Sequence, residues 1–224
     1  MKICTLCPRM CAVDRKSGER GICGQTTEIK VARAALHFWE EPCISGEMGS
    51  GAVFFSGCAL HCVFCQNENI ANGTAGKVIS TERLGEIFLE LQEKGANNIN
   101  LVTPGQFVPQ IIKAVELARN QNLKIPIVYN TSSYENVDTI RSLEGIVDIY
   151  LPDFKYFDTA LSAKYSHAPD YPAVAKAVIA EMVRQTGAAV FENGEDSLMK
   201  RGTIVRHLIL PGCTKDSKAV LKKI

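Results

Sequence analysis

The sequence predicts an α/β fold: a parallel sheet of βαβ units bent part-way into a βα barrel, preceded by a small cysteine-rich module. Three observations predict it. From residue 46 onward, apolar runs of strand length alternate with amphipathic segments of helix length. Nearly every run ends on a polar or chelating residue, as barrel strands do where their loops carry chemistry. Finally, Cys4, Cys7, Cys11 and Cys23 crowd into a stretch broken by glycines and a proline, with little core of its own. The boundary is placed after residue 45, giving a metal-binding module over 1–45 and the partial barrel over 46–224.

Composition narrows the function. The chain of 224 residues holds one domain, or one plus a small module. Its 25 basic and 24 acidic residues leave a net charge of +1, so nothing argues for nucleic acid or an acidic surface as partner. No apolar run is long enough to span a bilayer, and Met1-Lys2-Ile3-Cys4 opens no secretion signal. A cytoplasmic protein without a membrane partner is expected. Nine cysteines at short spacings in a reducing compartment argue for metal rather than disulfides.

Taken in order, the chain opens on Cys4-x2-Cys7-Pro8-Arg9-x-Cys11, followed by Cys23. Four thiolates can close around one metal, and either zinc or a second iron–sulfur cluster fits; unligated thiols are the bland alternative. Over 29–38, Ala32, Ala34, Leu36 and Phe38 alternate with Arg33, Ala35 and His37 as a half-buried strand. His37 and Trp39, beside Glu40 and Glu41, read as packing, with a ligand role for His37 as the alternative, and Cys43 as structural or incidental. Gly46, Gly49 and Gly51 mark a loop into the first core strand, Ala52–Phe55. That strand releases Cys58-x3-Cys62-x2-Cys65. Thiolates select soft metals, and a four-iron cluster held by three cysteines leaves one iron open to a small molecule. A zinc site completed by His61 and plain core cysteines are the alternatives.

Ser80 or Thr81 caps a helix with Leu84, Ile87, Phe88 and Leu91 on one face, stopped at Gly95. Asn98–Val102 is a strand, and a helix starting near Pro109 buries Ile111, Ile112, Val115 and Ala118. Pro126–Tyr129 is a strand, Asn136–Leu143 a short helix, Ile146–Leu151 a strand, Tyr171–Gln185 a helix, and Thr203–Leu210 the fifth strand. The strand ends deliver Cys58, Thr103, Asn130 with Thr131, Asp153 with Lys155, and Arg206 to one rim. Asp153 and Lys155, two apart on extended chain, share a face; a rim salt bridge is the plain reading of that pair. His207 faces away from Arg206 and reads as packing, and Cys213 as incidental.

The cysteine loop, with Phe64 before its last thiol, resembles the signature of radical S-adenosylmethionine (SAM) enzymes. Residues 50–215 resemble the relatives of pyruvate formate-lyase-activating enzyme, and Cys4–Arg9 resembles an N-terminal extension in one branch of them. The resemblance implies a partial barrel of the radical SAM type and a [4Fe–4S] cluster on Cys58, Cys62 and Cys65 with SAM on the open iron. It implies reductive cleavage of SAM to a 5′-deoxyadenosyl radical that abstracts a hydrogen atom. The substrate implied is a protein, with flavodoxin or ferredoxin as electron donor; a small-molecule substrate and a non-catalytic metal-binding module are the other readings. Since the cofactor carries the chemistry, no catalytic side chain is named.

The resemblance also assigns cofactor contacts. Asp153 and Lys155 match an Asp-x-Lys that touches SAM, and Arg206 a fifth-strand arginine near it. Asn130 and Thr131 match an Asp-Thr pair, without the charge of the aspartate. Val102-Thr103-Pro104-Gly105-Gln106 stands where many relatives carry Gly-Gly-Glu for the SAM amino group, leaving Thr103 or backbone carbonyls to serve. Relatives continue to a sixth strand that also touches SAM. The expectation is therefore a truncated barrel lacking its last strand, with an open apolar edge on strand five, that associates or cleaves SAM poorly.

Overall fold

A computed structural model describes residues 3–192 and 197–224. Its eight strands are β1 (Ile29–His37), β2 (Ser50–Phe55), β3 (Lys77–Ile79), β4 (Ile99–Val102), β5 (Ile127–Thr131), β6 (Ile149–Pro152), β7 (Val190–Phe191) and β8 (Met199–Thr203). The helices are α1 (Pro42–Ser45), α2 (Glu68–Ala71), α3 (Thr81–Glu93), α4 (Val108–Asn120), α5 (Val137–Arg141), α6 (Thr159–Ser166), α7 (Tyr171–Thr186) and α8 (Thr214–Leu221). They form one sheet in the order β3-β1-β2-β4-β5-β6-β8-β7. The five strands β2, β4, β5, β6 and β8 run parallel, and their C-terminal ends share one rim. Among the described residues no helix is long and apolar enough to cross a membrane.

Local sequence explains the helices that support this sheet. Ser80 caps α3 by accepting the Arg83 N–H, and Leu84, Ile87, Phe88 and Leu91 are its buried stripe. Pro109 sits in the first turn of α4, where its missing N–H costs nothing, and Ile111, Val115 and Ala118 face inward. These faces meet Val53, Phe55, Ile99, Leu101 and Tyr129 on the outer side of the sheet. Burying one such Leu or Phe stabilises the fold by about 1.5–3 kcal/mol.

Four expectations are corrected. The fifth parallel strand is Met199–Thr203, not Thr203–Leu210; beyond it only Arg206 bridges, in parallel, to Asp153. Leu208 and Ile209 are exposed, so apolar composition there did not make a strand. The edge of that strand is not open, because β7 pairs antiparallel along it through Val190↔Arg201 and Phe191↔Met199. In β1 the buried side chains are Ile29 and Val31, whereas Ala34 and Phe38 are exposed. A bulge between Val31 and Arg33 shifts the alternation. Trp39 does not pack: it is 88% exposed.

The inner face of the sheet is filled from below. Ile44 of α1 inserts against Val128, Ile149, Leu151 and Met199, and Asn97 and Asn98 donate to the Ser45 (2.6 Å) and Ile44 (2.9 Å) carbonyls. Residues 29–45 are thus built into the sheet and barrel interior, while residues 3–28 lie over the rim.

Candidate functional site

The loop after β2 holds Cys58, Cys62 and Cys65, all partly buried and unbridged. The Leu60 N–H donates to Cys58 Sγ (3.4 Å) and the Ser166 hydroxyl to Cys62 Sγ (2.9 Å). A turn closes from Cys65 N–H to the Cys62 carbonyl (3.0 Å). His61, at φ +52°, turns its Nε2 to the Ile22 carbonyl (2.9 Å) and away from the thiols. Phe64 lies edge-on to Tyr156, and Leu60, Tyr156 and Tyr171 form the apolar floor. Burial raises the Cys62 thiol, its Cys58 and Cys65 neighbours add to that, and Lys155 and the Ser166 hydrogen bond oppose it.

Lys155 begins a chain of charges running from the loop into the barrel. Burial disfavours its ammonium, but Asp153 and Cys62 outweigh burial and raise it. Its Nζ donates to Asp153 Oδ2 (2.6 Å), and Asp153 Oδ1 accepts from Arg206 Nε (3.1 Å). Arg206 Nη2 donates to Asn130 Oδ1 (2.6 Å). Arg206 also lies 3.7 Å from Glu40 Oε2 and 3.9 Å from Glu41 Oε1. The rim thus brings Asp153, Lys155, Arg206 and Asn130 together. Thr131 and Thr103 stand on the other side, lining a cavity with Cys58. Thr131 donates to Glu135 (2.6 Å), and Thr103 is held at φ +55°, a strained conformation for a β-branched residue.

The N-terminal segment seals this cavity. Cys4, Cys7 and Cys23 line it opposite Cys58. Cys11 sits beside them, its Sγ accepting the Ile22 N–H (3.3 Å); a Cβ on Gly21 would fall 2.7 Å from that sulfur, so a side chain there would displace Cys11. Burial, then the neighbouring thiols Cys23, Cys11 and Cys4, push Cys7 up to about 12 against a backbone hydrogen bond. Arg15 is buried and donates to the carbonyls of Gln106 (2.8 Å), Gln25 (3.1 Å) and Thr26, and to Cys4 Sγ (3.9 Å). A buried cation without a carboxylate suits a site that gathers thiolate charge.

Six contributors escape a sequence reading. Arg9 donates to Ala59 in the cysteine loop (2.8 Å), and to His167 (2.6 Å) and Ser166 (3.2 Å), with its guanidinium 5.0 Å over the Tyr134 ring. Only its place in Cys-Pro-Arg could have flagged it. Glu40 and Glu41 reach the rim arginine because α1 plugs the barrel. Gln106 pins the strand ends, donating to Ser56 and Thr103 (both 2.9 Å). Tyr171 accepts the Lys155 N–H (3.0 Å) and lies within hydrogen-bond reach of the Ser132 and Asp153 carbonyls. Glu135 is buried beside the cavity. None of these follows from local periodicity.

The donor set fits a cluster with an open iron: three thiols on one loop, the histidine turned away, and a cation at Cys62. Among the described residues, no three Cys, His, Asp or Glu side chains converge on an ion-sized point. A four-iron cube spreads its cysteines more widely than a single ion does.

A model of the radical SAM superfamily matches residues 52–218. An uncharacterized protein of Methanocaldococcus jannaschii is 27% identical over 217 residues, covering 94% of this chain and 57% of that protein. The chain therefore spans little more than half of that relative's length. The solved structure of native anSMEcpe with bound AdoMet shares the fold, with a TM-score of 0.50 at 13% identity, over 75% of this chain and 45% of that one.

Proposed function

The chain belongs to the radical SAM superfamily, and from that premise we propose that it cleaves SAM reductively and abstracts a hydrogen atom from a substrate, acting on a partner protein as glycyl-radical-activating enzymes do. The observation that carries this reading is the three-thiol loop set against the Cys62–Lys155–Asp153–Arg206 charge chain. Cys58, Cys62 and Cys65 would hold a [4Fe–4S] cluster, which would supply the single electron needed to cleave the S–C5′ bond of SAM into methionine and a hydrogen-abstracting 5′-deoxyadenosyl radical.

The residues of the chain bind, orient and exclude water. Lys155 offers an ammonium to a carboxylate, with Asp153 holding it in place. Arg206, Asn130, Thr131 and Thr103 supply further polar contacts. Leu60, Phe64 and Tyr156 keep the loop dry, which strengthens each of these interactions. Cys4, Cys7, Cys11 and Cys23 would hold a second metal: an iron–sulfur cluster at their present spread, or zinc if the thiols draw closer together; four thiolates would close its coordination sphere, so SAM would not bind there. Electrons come from a flavodoxin- or ferredoxin-like donor.

One observation favours a small-molecule substrate instead. Asn100 points from β4 into the barrel, fully buried, with its amide N–H₂ turned to the Glu40 carboxylate and its Oδ1 without a hydrogen-bond partner. Buried polar groups left unpaired are costly, and a small polar substrate would satisfy this one. The experiment is anaerobic reconstitution followed by a SAM-cleavage assay with reductant. A brown protein that yields 5′-deoxyadenosine supports the enzyme reading; a colourless zinc protein inert to SAM would leave only a metal-binding module.

A further inference from the structure

The C-terminal end of α6 abuts the cysteine loop. The Tyr165 carbonyl accepts the Val63 N–H (2.9 Å), and the Ser166 hydroxyl donates to Cys62 Sγ (2.9 Å). Ser166 Oγ also lies 2.7 Å from the Tyr156 hydroxyl. Both residues are 0% exposed, so water does not compete at either hydroxyl. A hydroxyl carries one proton. A sulfur that ligates iron carries none and can only accept, so the Ser166 proton belongs to Cys62. Tyr156 must then donate and Ser166 accept between them. Each proton in the row Tyr156, Ser166, Cys62 points toward the sulfur, and bonds in such a row polarise one another.

The three thiols are not served alike. Cys58 Sγ accepts the Leu60 N–H at the longer distance of 3.4 Å, and Cys65 takes the backbone N–H of Asn67. Cys62 takes its bond from a side chain that a second hydroxyl holds in place. The setting makes this bond matter. α6 turns its carbonyl end on the loop, and the last carbonyls of a helix carry partial negative charge. A centre that must gain an electron is disfavoured there. Arg9 covers the Ser166 (3.2 Å) and His167 (2.6 Å) carbonyls, and the Ser166 hydroxyl sets a proton rather than a lone pair against Cys62.

We propose that Ser166, oriented by Tyr156, is a positioning residue that raises the reduction potential of the cluster on the Cys58, Cys62 and Cys65 loop. Hydrogen bonds to a ligating sulfur stabilise the reduced, more negative cluster. The electron donor gives one electron and the cluster gains it; no proton moves and no covalent bond changes. The assignment rests on the SAM reading above for the cluster and adds to it two residues that are not ligands.

The test is the midpoint potential of the reconstituted cluster, from an anaerobic redox titration followed by electron paramagnetic resonance without SAM. Ser166→Ala should make reduction about tenfold less favourable, the scale of one hydrogen bond to a charged group, which lowers the potential by about 59 mV for one electron. Tyr156→Phe keeps the serine proton and removes its partner, and should lower the potential by less. Ser166→Ala strands the buried Tyr156 hydroxyl, so the double variant Ser166→Ala/Tyr156→Phe, which removes both partners, guards against misfolding. It should keep the wild-type iron content and match the potential of Ser166→Ala. An unchanged or higher potential in the double variant would overturn the assignment alone. Loss of iron from it would make Ser166 a brace for the loop and overturn the tuning role too. Wild-type protein that assembles no cluster would overturn the SAM reading and this assignment with it.

Discussion

Arg9→Ala should release the N-terminal segment from the barrel rim. The arginine makes three hydrogen bonds from one guanidinium, to Ala59 (2.8 Å), His167 (2.6 Å) and Ser166 (3.2 Å). A bond with a charged donor is worth about 1.5–3 kcal/mol when sheltered from water. The Ala59 and Ser166 bonds are partly buried and the His167 bond is exposed, and losses from one side chain do not add fully. A weakening of docking by about 2–4 kcal/mol follows, which multiplies the local opening equilibrium by roughly 30- to 1000-fold. Once undocked, a segment with almost no core of its own loses its internal bonds, Cys4 N–H to Val13 (2.9 Å), Met10 N–H to Cys7 (3.1 Å) and Ala12 N–H to Cys4 (3.3 Å). Amide hydrogen exchange reads those bonds directly. Exchange at Cys4, Met10 and Ala12 should accelerate by that factor while amides in α3 keep their wild-type rates. Arg9→Lys, which keeps the charge but not the fork, should fall between. Exchange in Arg9→Ala within about twofold of wild type would show that Asn136, Thr139 and Arg15 hold the segment unaided, and that Arg9 is incidental.

Other outcomes follow from the same contacts. Cys58→Ala, Cys62→Ala and Cys65→Ala should each abolish the SAM-responsive cluster signal after reconstitution; any one that cleaves SAM at the native rate refutes the ligand set. Asp153→Asn removes the partner of both Lys155 and Arg206. It should raise the SAM dissociation constant about tenfold with the cluster absorption unchanged, and unaltered affinity would return the group to a rim salt bridge. Metal analysis should find more metal than one four-iron cluster, with Cys4, Cys7, Cys11 and Cys23 protected from alkylation; four irons, no zinc and four reactive N-terminal thiols would contradict the second site. Tyr171→Phe leaves the Lys155 N–H unpaired in a partly buried setting, costing about 1–3 kcal/mol of stability. Its thermal unfolding should shift accordingly, and an unchanged midpoint would mean that the hydroxyl is dispensable.

The sequence alone determined what short range can carry. Three thiols at fixed spacing after the apolar Ala52–Phe55 run define a loop that can wrap a cluster, whatever the rest of the chain does. Amphipathic periods and caps likewise determined α3 and α4, because a helix is held by bonds four residues apart. The alternation of strands and helices put Thr103, Asn130, Asp153 and Arg206 near one rim, since parallel strands begin their loops at the same end. Tertiary structure decided everything that depends on who meets whom. A bulge in β1 reversed the face that its neighbours bury, and pairing with β7 covered an edge that composition left bare. Glu40 and Glu41 reach Arg206 only because α1 plugs the barrel, and Glu135 meets Gly105 only because β4 and β5 are neighbours. Arg9 is tied to residues 50 and more than 150 positions away. Periodicity reports the environment of a residue averaged over one element; a hydrogen bond across such a separation is fixed by topology, and no local pattern of side chains encodes it.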